Sequence, residues 1–232
     1  MITLITYQTG FGESSFSPFC VKAMWLLKAA GVPWEREDSN DPRKFPKAKL
    51  PAIRTEGQII GDSHNIQAYL ERGGADFWGP VAARDRAAGH ALIRMAEEHM
   101  YFHVVLDRWG NDDFWPLIRE AYFAAIPALL RKPITGRIRK NLLQGLSAQG
   151  LGRFTTEERM ARLEPDLAAI AAFLDGRDYL LGDVPTLPDY SVAAMLSAGL
   201  AAPIQTPLRR RLQSDPALTS YVKRIRDRMD GA

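Results

Sequence analysis

A proline at residue 51 heads a short β-rich run, and this feature restricts the surrounding chain more than any other. Pro51, Ala52, Ile53 and Arg54 are followed by a Glu56-Gly57 turn signal and a second run, residues 58–60, that stops at Gly61. Proline has no N–H to give a sheet, so the first run begins at an edge or a turn, and the two runs pair as an antiparallel hairpin. X-Pro bonds also adopt the cis form far more readily than other peptide bonds. A Leu50-Pro51 step can therefore turn the Leu50 main-chain N–H and C=O toward a ligand instead of a neighbouring strand. Asp62 and Ser63 then open a helix expected over residues 62–71. Their side chains, with the unpaired N–H groups of a first helical turn, suit a ligand that carries both a carboxylate and an ammonium group. The combination is a candidate site for the backbone of a small peptide.

The flanking pattern supplies the rest of a sheet. Residues 2–7 are apolar and β-branched enough for a central strand, and a long loop, residues 8–16, follows it. Ser17 and Pro18 start a helix whose apolar residues run to Ala30 and which Gly31 ends. Residues 34–37 give a second strand, so strand, helix and strand form a right-handed parallel crossover. A four-stranded mixed sheet results. Residues 72–80, with Gly73, Gly74, Gly79 and Pro80, mark a linker. No strand is expected beyond it. Helical periodicity covers residues 81–108, 114–130 (kinked at Pro127) and 157–174, and a last helix covers about 216–228, capped by Ser214 or Asp215. Residues 190–200 are apolar around most of the circumference and should form the central helix of a bundle. Thr186 and Asp189 have the spacing of a reciprocal cap at its start. The expected fold is α/β plus all-α, with a sheet domain over residues 1–72 and a helical domain over 80–232.

Composition narrows the function classes. The 232 residues are 46% hydrophobic, ample for a buried core, and 30 basic against 27 acidic residues leave a net charge of only +3. That balance argues against nucleic acid as a partner. One local exception is residues 131–153, with six basic residues and no acidic one, read either as a solvated helix face or as a contact for an anionic ligand, lipid or partner. A single cysteine excludes an internal disulfide and fits a reducing compartment, with the cytoplasm as the default. No membrane anchor is evident, since no apolar run approaches the roughly 18 residues that span a bilayer.

Taken in order, a first strand, Ser17-Pro18-Phe19-Cys20 at a helix start, Leu50-Pro51, a strand and Asp62-Ser63 resemble the thioredoxin-like N-terminal domain of glutathione transferases. Thr186-Leu187-Pro188-Asp189 resembles the N-capping box of a buried helix in the helical domain of the same superfamily. More narrowly, Ser17 to Lys22, Asp41 to Lys44, Lys49 to Pro51 and Gly150 to Arg153 look like the metaxin and failed-axon-connections branch. The resemblance implies that reduced glutathione is held through Leu50, Pro51, Asp62 and Ser63 and conjugated to an apolar small-molecule electrophile. A homodimer is implied in the same way. The alternative it carries is a non-catalytic binding or adaptor protein that keeps the fold.

Glutathione chemistry needs thiolate at neutral pH, and a hydroxyl donor beside a helix N-terminus can lower a thiol pKa. Ser17 fits that role, and fits equally as a plain N-cap. Tyr7, at the end of the first strand, is the second candidate, set against an ordinary strand-end aromatic. Cys20 occupies the second-cysteine position of a Cys-Pro-Phe-Cys-like motif whose first position is Ser17, so a dithiol mechanism is excluded and an inert thiol expected. His99 and His103 share a helix face at i, i+4 but lack a third ligand at suitable spacing, and no metal is expected. Aromatics dense between Tyr101 and Phe123 line a second-substrate cleft or simply pack the core.

Overall fold

The computed structural model describes residues 1–231, and its sheet is built from β1 (Ile2–Thr6), β2 (Trp34–Asp38), β3 (Ala52–Thr55) and β4 (Gln58–Gly61). The order is β2-β1-β3-β4, with β1 parallel to β2 and antiparallel to β3. Ile53 lies opposite Ile60 in the β3–β4 hairpin, and Gly57 takes the turn at φ 84°, a backbone region that glycine enters without steric cost. The crossover helix α1 (Pro18–Ala29) connects β1 to β2, and Gly31 leaves it at φ 64°. α2 (Ser63–Arg72) follows β4. The mixed sheet and its helices have the thioredoxin-like arrangement expected from the sequence.

Beyond residue 80 the described chain is helical: α3 (Ala83–Met95), a π turn (Ala96–Met100), α4 (Tyr101–Trp109), α5 (Trp115–Tyr122), α6 (Ala128–Gln149), α7 (Thr156–Leu174), α8 (Leu187–Leu200), α9 (Pro207–Gln213) and α10 (Pro216–Asp230). Asp215, one of the two caps expected for the last helix, accepts hydrogen bonds from the Ala217 and Leu218 N–H groups. The kinked helix expected over 114–130 is instead broken. α5 ends at Tyr122, and Pro127, at an extended ψ of 136°, stands as the N-cap of α6. Proline also disfavours helical geometry in the residue before it, so no helix runs continuously through this point. The 22-residue α6 buries only Thr135 and Leu146, which is why no apolar period announces its full length.

α8 is buried from Leu187 to Gly199 and packs against α1, α3 and α10. The Asp189 carboxylate reaches back to the Thr186 N–H at 2.7 Å and also accepts from the Leu180 N–H and the Tyr221 hydroxyl, each at 2.9 Å. Burial pushes its carboxyl up, and these four-sided hydrogen bonds, the Thr186 hydroxyl included, oppose the shift. One continuous apolar core joins Leu4, Trp25 and Ile53 to Leu167, Leu196 and Tyr221. Polar groups cross the same junction. Lys22 of α1 donates to Glu97 at 2.5 Å, Ser191 of α8 donates to the same carboxylate at 2.8 Å, and the Trp25 indole N–H donates to Asp230 at 2.8 Å.

Candidate functional site

All six residues singled out from the sequence collect at one end of the sheet. The Leu50-Pro51 bond is cis, and the Pro51 carbonyl accepts the Asp62 N–H at 3.0 Å, which fixes the Leu50-Pro51 step beside the start of α2. The Leu50 main-chain N–H and C=O make no hydrogen bond among the described residues, so both remain for a ligand. Asp62 adopts φ 84°, an uncommon region for a residue with a side chain, and its carboxylate caps α2 by accepting the His64 N–H at 2.9 Å. Ser63 is buried as the first residue of α2, and Asn65 ties the same turn to the Gly61 carbonyl at 2.9 Å.

Leu50 packs with Ile5, Cys20, Ala52 and the half-buried Tyr7, and this contact links the α2 end of the site to the α1 end. Ser17 sits at the N-cap of α1 with extended backbone, but its side chain makes no capping bond. Its hydroxyl lies with those of Thr6 and Ser15 around the Cys20 sulfur. Burial pushes the Cys20 thiol up and these hydroxyls only oppose the shift, so the fully buried thiol is a poor nucleophile. Ser17 O accepts the Cys20 and Val21 N–H groups at 3.0 and 3.1 Å, and Pro18 has no N–H. The Phe19 N–H is the first-turn donor left unpaired among the described residues. Burial, then the neighbouring Cys20, Tyr101 and Tyr122, pushes the Tyr7 phenol up, which keeps it protonated and a donor.

The helical half supplies groups that the motifs did not announce. Arg108, buried in α4, donates to the Phe16 carbonyl at 2.7 Å, the Ala198 carbonyl at 2.9 Å and the Tyr122 hydroxyl at 3.0 Å. It thereby pins the residue preceding Ser17 to the helical bundle. The 8–16 loop is held further by Glu13, which accepts from Ser197 of α8 at 2.7 Å and from Arg226 of α10 at 3.1 Å. Burial pushes the Glu13 carboxyl up, against the pull of Ser197 and Arg226. Tyr101, whose phenol burial pushes up to about 12, stacks edge-on against Phe19 at 4.8 Å and faces the same corner. The only sequence signal for Arg108 is a cation four residues after Val104 on an otherwise apolar stripe.

Other aromatics turn inward. Phe11, Phe16, Phe114, Trp109 and Tyr122 form a cluster of tilted and edge-on rings, with Phe114 fully buried, so much of the aromatic density between 101 and 123 is packing. The His99 Nδ1 lies 2.6 Å from Asp166, and its other ring nitrogen lies 3.4 Å from His103.

Comparison with known proteins bears on the family and the fold. The family model described as glutathione S-transferase N-terminal domain matches residues 18–114, and that described as glutathione S-transferase, C-terminal domain matches residues 163–225. The chain is 28% identical over 240 residues to isoprene-epoxide glutathione S-transferase of Rhodococcus sp. (strain AD45), covering 99% of this chain and 100% of that protein. It is 27% identical to failed axon connections of Drosophila melanogaster over 92% of this chain, and 24% identical to metaxin-1 of Homo sapiens over 86%. The chain spans 54% of the former's length and 44% of the latter's. In fold it is similar to a glutathione S-transferase from the Antarctic clam Laternula elliptica, with a TM-score of 0.63 at 14% identity over 98% of this chain and 88% of that one. A similar likeness holds to glutathione S-transferase III in its apo form, with a TM-score of 0.63 at 15% identity over 100% and 96% of the two chains.

Proposed function

The chain belongs to the glutathione transferase superfamily, in its metaxin-like branch, and from that premise we propose that it binds reduced glutathione and conjugates it to an apolar electrophile. The observation that carries this reading is the pair of unengaged Leu50 main-chain groups beside the Asp62-Ser63 helix start. The Leu50 N–H and C=O pair with the peptide backbone of glutathione, while Asp62 and Ser63 take the γ-glutamyl ammonium and carboxylate. Ser17 is the better thiol activator of the two candidates. It stands at the positive end of α1 and makes no capping bond, so its hydroxyl can swing from the Cys20 sulfur to the glutathione thiol, whereas the Tyr7 ring is packed half-buried against Cys20 and Leu50. The hydroxyl donates to the sulfur and favours thiolate, which attacks the electrophilic carbon as the leaving bond breaks. The Rhodococcus relative's name makes small epoxides the first electrophiles to try, the alkoxide released by ring opening taking a proton from water.

Calorimetric titration with reduced glutathione tests binding. Saturable binding that Asp62→Ala and Ser63→Ala both weaken supports the site. Ser17→Ala should lower kcat on the order of a hundredfold with little change in glutathione affinity, while Tyr7→Phe should change kcat far less. Bound glutathione with no turnover of any electrophile would sink the catalytic half. That result would favour the second reading, a non-catalytic binding or adaptor protein, which the similarity to failed axon connections and metaxin-1 supports.

A further inference from the structure

The stretch between the two family matches, residues 115–162, carries α5 and α6, and its outer face is unlike the rest of the molecule. Leu129 is 93% exposed, Leu130 54%, Ile134 41% and Ile138 38%. Residues 130, 134 and 138 are four apart and form one ridge along α6, with Leu129 at its N-terminal tip. No acidic residue occurs between Glu120 and Glu157. Arg131 and Arg139 are engaged by Glu120 and Asp112, but Lys132, Arg137 and Lys140 are exposed and have no acidic partner among the described residues.

An aliphatic tip ringed by unpaired cations matches one kind of surface best. A second copy docked face to face across a two-fold axis would bring the same cations together with no carboxylate between residues 121 and 156 to meet them. A lipid surface supplies both complements at once, acyl chains for the leucines and phosphates for the cations. We propose that the N-terminal half of α6 docks onto an anionic lipid surface. Leu129, Leu130 and Ile134 enter the boundary between headgroups and acyl chains, while Lys132, Arg137 and Lys140 contact lipid phosphates. Attachment of this kind is peripheral and reversible, and it does not depend on the glutathione site.

The test is flotation of the full chain with vesicles of phosphatidylcholine alone or mixed with phosphatidylglycerol. Binding should require the anionic lipid and weaken with added salt. The triple variant Lys132→Glu, Arg137→Glu, Lys140→Glu should lower partitioning on the order of a hundredfold. Leu129→Ser with Leu130→Ser should lower it on the order of tenfold. Circular dichroism melts of both variants should match the parent, since the altered side chains are exposed. Failure to bind the mixed vesicles, equal binding to both vesicle types, or binding that neither variant moves overturns the proposal. So does self-association in sedimentation velocity that the leucine variant abolishes while mixed vesicles go unbound, an outcome that assigns the face to a second copy.

Discussion

α1 and α6 both carry basic residues, yet they meet opposite surroundings. α1 buries nine of its 12 residues, Lys22 among them, whereas α6 buries two of 22. Lys22 is tolerated inside because Glu97 and Ser191 close a hydrogen-bonded circuit across the junction of sheet and bundle. Lys132, Arg137 and Lys140 of α6 keep their water, and Leu129, Leu130, Ile134 and Ile138 stay exposed at a cost that folding alone does not explain. A buried charge thus reports on how the two halves are joined, and an exposed apolar ridge reports on what the surface meets.

The largest expected effect breaks the α1 side of this contrast. Glu97→Ala leaves the Lys22 ammonium buried without a carboxylate and should cost about 3–5 kcal/mol in urea unfolding. Replacing both partners, Lys22→Met with Glu97→Met, should recover most of that loss. A loss below about 1 kcal/mol in the single variant would mean that the pair is not sealed from water. Next comes Arg108→Met, which strands the Phe16 and Ala198 carbonyls and should cost about 2–3 kcal/mol. Because Phe16 precedes Ser17, the variant should also weaken glutathione conjugation more than its stability loss accounts for.

The pH dependence of unfolding sharpens the comparison further, since two groups of α4 act in opposite directions. Burial, then His99, Arg159 and Arg162, holds the His103 imidazole down at about 3. Its unfolded pKa is near 6.5, so the unfolded chain binds a proton that the folded site refuses, and stability is lost as pH falls from about 6.5 toward 3. Burial pushes the Asp107 carboxyl up to about 6, against Thr206 and Arg108. There the folded state binds the extra proton, and stability is lost as pH rises from about 3.9 through 6. Asp107→Asn should therefore steepen the acid loss in that window, and His103→Gln should flatten or reverse it. Profiles that both variants leave unchanged would refute the assignment. The smallest effect belongs to α6. Ile134→Ser should change the unfolding free energy by no more than about 0.5 kcal/mol, as an exposed position predicts.

Much of the sheet half was legible because its signals are local. Pro18 and Gly31 bracket α1, the Glu56-Gly57 turn sets the β3–β4 hairpin, and Asp62 caps α2 within two residues of its own backbone. The Thr186–Asp189 cap was legible for the same reason. Helix boundaries in the bundle were less so. The 114–130 periodicity crosses two helices, since Pro127 breaks the chain where apolar spacing alone would carry it on. Arg108 and Glu13 gave almost no sign of their positions. A charged residue reads as surface until its partners are known, and those partners lie on α8, on α10 and in the loop before Ser17.

By itself, then, the sequence determined the strand and helix starts of the sheet half, the mixed sheet and the residues gathered at its end. Each depends on backbone conformations that proline, glycine and capping side chains impose on near neighbours. Tertiary structure alone decided that Ser17 turns its hydroxyl toward Cys20 instead of capping α1, that Lys22 is buried, and that α6 stands with Leu129, Leu130, Ile134 and Ile138 outward. Those outcomes depend on which distant groups are brought within hydrogen-bonding or packing distance, and spacing along a chain carries no record of that.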